Sequence, residues 1–229
     1  MVAKVQRIPL RRTVAGAHKG SYSAPIKVAS LSVDLSSVAK ALDLEERLRL
    51  TPSTARVRGV FFQLIEAQLR RRGLARSSEW RLAAGNAARY VHVLYPVADL
   101  LQAMAVAGAL LNPDPREGIR EILSDGARFA SSTWFGRTFR TVFSPDPLSA
   151  LRWLERSHDY ICNYGRWRVE ERGPGRATLH MYDEYFWIDS LHRGGCEGLL
   201  QACGVVGTVH ASLDGLFTGR LEIGWRLQN

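Results

Sequence analysis

The chain has 229 residues, 46% of them hydrophobic and 23% charged, which is enough to bury one core without disulfides or metal. Lysine and arginine outnumber aspartate and glutamate by 31 to 22, a net charge of +9 that favours anionic partners, but the excess is arginine spread along the chain rather than one lysine tract. No apolar run reaches bilayer length, and an odd count of three cysteines without framework spacing (Cys162, Cys196, Cys203) argues against a secreted disulfide fold, so a reducing cytoplasm is the expected compartment.

Residues 1–30 stand apart from the rest. They carry Gly16, Gly20, Pro25 and basic residues with no apolar h-region behind them, and are expected to form an arm or a strand. Residues 31–229 are expected to make one α+β domain, helical over 31–158 and sheet over 159–229. Val38, Leu42, Leu44 and Leu48 predict a short helix between Val33 and Leu50, closed by Thr51-Pro52. Ser53 or Thr54 then caps a helix with Val57, Val60, Phe61, Leu64 and Ile65 on one face. Arg70, Arg71 and Arg72 close it beside Gly73, where cations suit the helix dipole.

Trp80 to Tyr95 reads as helical, and Pro96 opens an alanine-rich helix that ends at Asn112-Pro113-Asp114-Pro115. Further helices are expected over Arg116–Phe129, Thr138–Phe143 and Leu148–His158. After Tyr160 the period changes. Tyr164 to Glu171 and Ala177 to Ile188 flank Gly173-Pro174-Gly175 as a hairpin of two long strands, which would put His180, Tyr182, Glu184 and Phe186 on one face. Leu191 to Gly204 follows as a helix. Val205–Leu213 and Phe217–Leu227 then make a second hairpin around Asp214-Gly215. The fold class is therefore α+β, with a helical N-terminal half followed by a β-β-α-β-β antiparallel sheet and its covering helix.

Few motifs carry chemistry. Gly194, Gly195 and Gly198 lack the order of a dinucleotide loop and its later acidic residue, and read as glycines for close helix packing against the sheet. There is no nucleophile elbow, Walker sequence, zinc spacing or calcium loop. No catalytic residue, metal or cofactor is expected. An enzyme would have to use His158 or His180 with a nearby carboxylate. Aromatics interleaved with cations at Tyr160, Tyr164, Arg166, Trp167 and Arg168 have the look of a single-strand nucleic-acid platform, but a sheet strand with one buried aromatic face explains them more simply.

Arg58-Gly59-Val60-Phe61-Phe62, Tyr95-Pro96, Asn163-Tyr164-Gly165 and the helix from Gly194 to Gly204, in that order, resemble the myxobacterial paralogous family of uncharacterised proteins. The match runs from about residue 33 to the end, and the family implies no particular activity. The layout is more remotely similar to heme-nitric-oxide/oxygen binding domains, in which a helix histidine ligates heme and a Tyr-x-Ser-x-Arg segment binds its propionates. Trp153 to His158 echoes the ligand segment. The window matching the propionate clamp reads Tyr185-Phe186-Trp187-Ile188-Asp189, so the resemblance implies the scaffold without the cofactor.

The expected function is a non-catalytic recognition module of a cytoplasmic bacterial pathway, binding a peptide, a small molecule or a partner protein. Tyr160, Tyr164, Trp167, Tyr185 and Trp187 are the candidate ligand-binding residues, in a pocket between the halves, and strand addition at a sheet edge is the preferred form. The alternatives are the histidine-based enzyme and a nucleic-acid-binding regulator. Homo-oligomerisation stays open.

Overall fold

Leu35–Ala41 (α1) and Leu44–Leu50 (α2) open the part of the chain that the computed structural model describes, namely residues 34–85, 89–132 and 146–227. The single helix expected here is two. Asp43 takes a left-handed backbone (φ 51°), and that break turns the chain while Leu42 stays fully buried.

Two further expectations fail locally. Val57 belongs to a strand, Arg56–Arg58 (β1), paired antiparallel with Leu94–Pro96 (β2), and the next helix starts only at Val60 (Val60–Arg71, α3). The helix expected from Trp80 to Tyr95 is only Ser78–Ala84 (α4), capped by the Ser77 side chain on the Trp80 N–H and halted by Gly85 at φ 70°. The segment 138–143 lies outside the described residues. The alanine-rich helix Val97–Leu111 (α5) and the helix Pro115–Ser132 (α6) form as their punctuation predicts. α5 has ten buried residues and is the centre of the first core, which holds Leu42, Phe62, Ile65, Leu100, Leu101 and Met104 among others.

α5 and α6 touch backbone to backbone. A Cβ at Gly118 would sit inside van der Waals contact of the Gly108 carbonyl, and one at Gly194 would collide with the Arg120 carbonyl. Gly194 and Gly195 thus serve helix packing against α6, not against the sheet as expected.

Pro147–Ile161 (α7) is capped by the Asp146 carboxylate on the N–H groups of Leu148 and Ser149, with proline at its first turn. It leads into Arg166–Gly173 (β3) and Arg176–Tyr182 (β4). A helix, Arg193–Ala202 (α8), separates these from Val205–Gly215 (β5) and Thr218–Leu227 (β6). All pairings are antiparallel and the order is β3-β4-β6-β5. The fold is therefore α+β, helical first and then a β-β-α-β-β sheet with a covering helix.

β4 stops at Tyr182 because Asp183 again adopts a positive φ (52°), so the aromatics Tyr185 to Trp187 are not strand residues and Glu184 does not share a sheet face with His180. A π-helical turn, Ile188–His192, precedes α8. Its wider winding sends Trp187 and Leu191 into the first core and Ile188 into the second, which also holds Leu179, Met181, Leu200, Leu221 and Ile223. The turn therefore ties the two cores together.

Candidate functional site

The anomalies of the backbone, Asp183 and the π turn, bracket Glu184, a carboxylate only 1% exposed. Its Oε2 accepts the indole N–H of Trp167 (2.9 Å) from β3, and its Oε1 accepts the backbone N–H of Phe186 (3.1 Å). Nε2 of His192 lies 3.2 Å from Oε1, and Nε2 of His158, from α7, lies 3.9 Å from Oε2. Burial alone raises the pKa of such a group. Attraction to the adjacent His192 and the N–H donors of Trp167 and Phe186 outweigh it and hold the carboxyl below its ordinary value.

His158 is 2% exposed and is pushed toward its neutral form, chiefly by burial. One turn on, the Sγ of Cys162 is 3.2 Å from its Nε2, and burial pushes that thiol up to about 12. The pair is thus an uncharged thiol beside a neutral imidazole, not an activated nucleophile. The imidazole lies 4.8 Å from the Trp167 ring, tilted by 40°, and that ring in turn meets His192 edge-on at 5.1 Å.

The candidate ligand residues fall into two places. Trp167 faces His158, and Tyr164 lies 6.3 Å from His158 and 4.9 Å from Tyr185. Tyr185 meets Phe217 at 5.0 Å, and the guanidinium of Arg47 stands over both Phe217 and Trp187. Trp187 is fully buried and donates its indole N–H to the Leu42 carbonyl (2.9 Å). These four therefore belong to one run of rings between the cores. Tyr160 does not join them. It is 60% exposed, with the Arg58 guanidinium 3.9 Å over its ring. His180 stands elsewhere again, on the sheet, 3.2 Å from Glu170.

From the sequence Glu184 is expected beside His180 rather than His192 and His158, and Arg47 and Cys162 are not expected as partners. The spacing of His158 and Cys162 at i and i+4 on a helix was a usable signal. Nothing in the sequence distinguishes Arg47 from a solvated arginine on an amphipathic helix, yet it is 2% exposed and donates to the carbonyl of Tyr185 (3.1 Å). Burial, with repulsion from Arg116, lowers its pKa to about 10.

These side chains do not fit a heme. Nε2 of His158, the position for iron, already faces the Cys162 thiol and the Glu184 carboxylate. In the window for the propionate clamp, Trp187 is fully buried and Asp189 brings a negative charge, paired with Arg116 at 2.8 Å. Among the described residues no group of three or more histidine, cysteine or acidic side chains is placed to hold a metal ion.

The sheet offers a different surface. β5 ends the sheet and pairs only with β6 among the described residues. From Val205 to Leu213 it contains no lysine, arginine, acid or proline, and Val206 and Leu213 are exposed (61% and 47%). The opposite edge, β3, carries Arg166, Arg168, Glu170, Glu171 and Arg172 within eight residues. Charge on an edge deters further pairing, so the two edges differ in kind.

The family model described as Protein of unknown function (DUF2378) matches residues 50–226. No curated protein sequence matches the chain. Several solved structures are similar in fold. An unliganded Fe(II) H-NOX protein from K. algicida is 10% identical, with a TM-score of 0.57, covering 75% of this chain and 97% of that one. A mutant H-NOX of T. tengcongensis is 12% identical, TM-score 0.56, covering 73% and 96%. A mutant H-NOX from S. oneidensis is 15% identical, TM-score 0.51, covering 75% and 97%. At these identities the likeness is one of fold, and it agrees with the remote layout read from the sequence.

Proposed function

The chain belongs to the DUF2378 family, and on that premise we propose that it is a recognition module that captures an extended segment of a partner protein along β5. One observation carries this reading. Among the described residues β5 presents an unpaired backbone edge over nine residues, Val205–Leu213, without the charges or proline that natural sheets use to close an edge. A peptide laid there gains main-chain hydrogen bonds along its length, while alternate side chains meet Val206, Thr208 and His210 on one face of the sheet. The ring run of Tyr164, Trp167, Tyr185 and Trp187 acts as the rigid support that holds this sheet to the helices, rather than as the binding pocket. The H-NOX-like fold supports a sensory or recognition role in general. The cytoplasm is the proposed compartment, and no helix among the described residues is long and apolar enough to cross a membrane.

The test is a displayed heptapeptide library selected on the full chain, with the winners titrated by calorimetry against the chain and against a Val206→Lys/Ser212→Lys double variant. Strand addition requires enriched peptides of alternating β-branched residues, affinity that changes little with salt, and at least tenfold weaker binding to the double variant. Equal affinity for both proteins sinks the reading.

A further inference from the structure

In the four-stranded sheet the odd-numbered residues point into the second core. Leu179 and Met181 of β4, Val209 of β5, and Leu221 and Ile223 of β6 are all buried there. The even-numbered residues therefore share the opposite face, and the register sets them in rows. Arg168, His180, Arg220 and Ser212 lie side by side, then Glu170, Thr178, Glu222 and His210, then Arg176, Gly224 and Thr208. Thr178 is buried in this face beneath Arg172, and the other members of the rows are exposed or half-buried.

The charges on the face do not balance. Its three carboxylates already have partners within it, Glu170 in Arg172 (2.9 Å) and His180 (3.2 Å), and Glu222 and Asp214 both in Arg220 (3.4 and 3.3 Å). Four exposed arginines remain: Arg166 and Arg168 toward one end, Arg176 and Arg226 toward the other. None of them forms an ion pair among the described residues. Surface guanidiniums left without carboxylates by an otherwise paired face are complementary to a polyanion. The cations of the face are all arginine, whose planar fork binds phosphate bidentately and stacks on rings. Planar groups are at hand. The Arg166 guanidinium lies 4.9 Å from the Tyr182 ring centroid, and Tyr182 and His180 stand stacked, 6.5 Å apart with planes 9° from parallel.

We propose that this arginine-bearing sheet face binds single-stranded nucleic acid, with phosphates on Arg168, Arg176 and Arg226 and bases stacked against Arg166, Tyr182 and His180. The face adjoins the β5 edge through Val206, Thr208 and His210, but its free arginines lie on β3, β4 and β6, so either reading can stand without the other.

Anisotropy with a labelled oligouridine, and with a polyglutamate peptide of similar length, tests it on the full chain between about 50 and 300 mM NaCl. The variant is Arg168→Ser/Arg176→Ser, two exposed side chains whose loss should leave the circular-dichroism melt in place. The oligouridine should bind in preference to polyglutamate. The double variant should bind it more than tenfold more weakly, with the log–log salt slope shallower by about 1.4, the loss of two single-strand phosphate contacts. Absence of binding at the lowest salt, equal or better binding of polyglutamate, or an unchanged affinity in the double variant each overturns the proposal.

Discussion

Oε1 of Glu184 stands 3.2 Å from Nε2 of His192, with the two side chains 1% and 7% exposed, so an acid and an imidazole share the interior at the point where the helical and sheet cores meet. The arrangement is held from three directions: Trp167 on β3, the Phe186 N–H beyond the end of β4, and His192 on the π turn. A buried charge of this kind is poor evidence for stability in itself. Its removal, however, strands its partners, and that makes the site measurable.

Glu184→Ala leaves the Trp167 indole and the Phe186 amide without their acceptor and His192 without its neighbouring carboxylate. We expect a loss of about 3–5 kcal/mol in urea unfolding, the range for breaking a buried pair from one side. Glu184→Gln keeps a carbonyl for two of those donors and should cost clearly less. Equal losses would mean that cavity volume, not hydrogen bonding, sets the effect.

The pH dependence follows from the two depressed groups. His158 has a folded pKa below its ordinary 6.5, so the unfolded chain takes up its proton first as pH falls, and stability declines below about 6.5 until the folded value is passed. Glu184 is also depressed, so its contribution is complete above 4.5 and is lost as pH falls through its lower folded value. The melting temperature should therefore be flat from pH 8 to 7 with respect to these groups, fall below 6.5, and fall again below 4.5. His158→Gln should remove the first decline and leave the second. A first decline that persists in that variant assigns it to another group.

The helical half was legible wherever one side chain could state a boundary. The alanine-rich α5, bounded by Pro96 and Asn112-Pro113, is one case, and the Asp146 cap with Pro147 at the start of α7 is another. It was illegible where a long-range partner overrode local preference. Val57 lies on a helical face by spacing, but pairing of Arg56–Arg58 with Leu94–Pro96 takes it into a strand. That ladder is fixed from a distance by Asn163, whose side chain accepts the Arg56 N–H and donates to the Thr54 carbonyl (3.1 Å). The family-like segments at Arg58-Gly59, Tyr95-Pro96 and Asn163 therefore meet in one place, which no periodicity could have shown. The buried acid was hidden for a related reason. Period-two alternation ran through Asp183, and only its left-handed backbone turns Glu184 inward.

Arg47 and Trp187 offer a sharper contrast between charge and volume. The guanidinium lies 5.3 Å from the Trp187 ring and donates to the Tyr185 carbonyl, at the cost of desolvation that lowers its pKa to about 10. Arg47→Ala opens a cavity and orphans a carbonyl, and should lose about 2–4 kcal/mol. Arg47→Met fills most of the volume without a buried charge and should recover at least about 1 kcal/mol of that loss. If methionine is no better than alanine, the hydrogen bonds to the loop outweigh packing.

The fold invites a titration with hemin. Because Nε2 of His158 faces Cys162 and Glu184, hemin should give only the broad band of nonspecific association, unchanged in His158→Ala. A sharp histidine-ligated Soret band that disappears in that variant would mean that the side chains rearrange to admit the ring.

Gly118 tests the packing of α5 on α6. In an open helix Gly→Ala stabilises by about 1 kcal/mol, because alanine loses less backbone entropy on folding. At Gly118 the new methyl group meets the Gly108 carbonyl, a rigid backbone neighbour that cannot move aside as a flexible side chain would. Separating the helices to relieve that contact would loosen Leu100, Leu101, Met104 and Ile119, all of them fully buried. The balance should therefore reverse sign, with Gly118→Ala destabilising by about 1–3 kcal/mol in urea unfolding. Gln102→Ala, at an exposed position of α5, should stay within about 0.5 kcal/mol of the parent. A stabilised Gly118→Ala would show that α5 and α6 do not pack this closely.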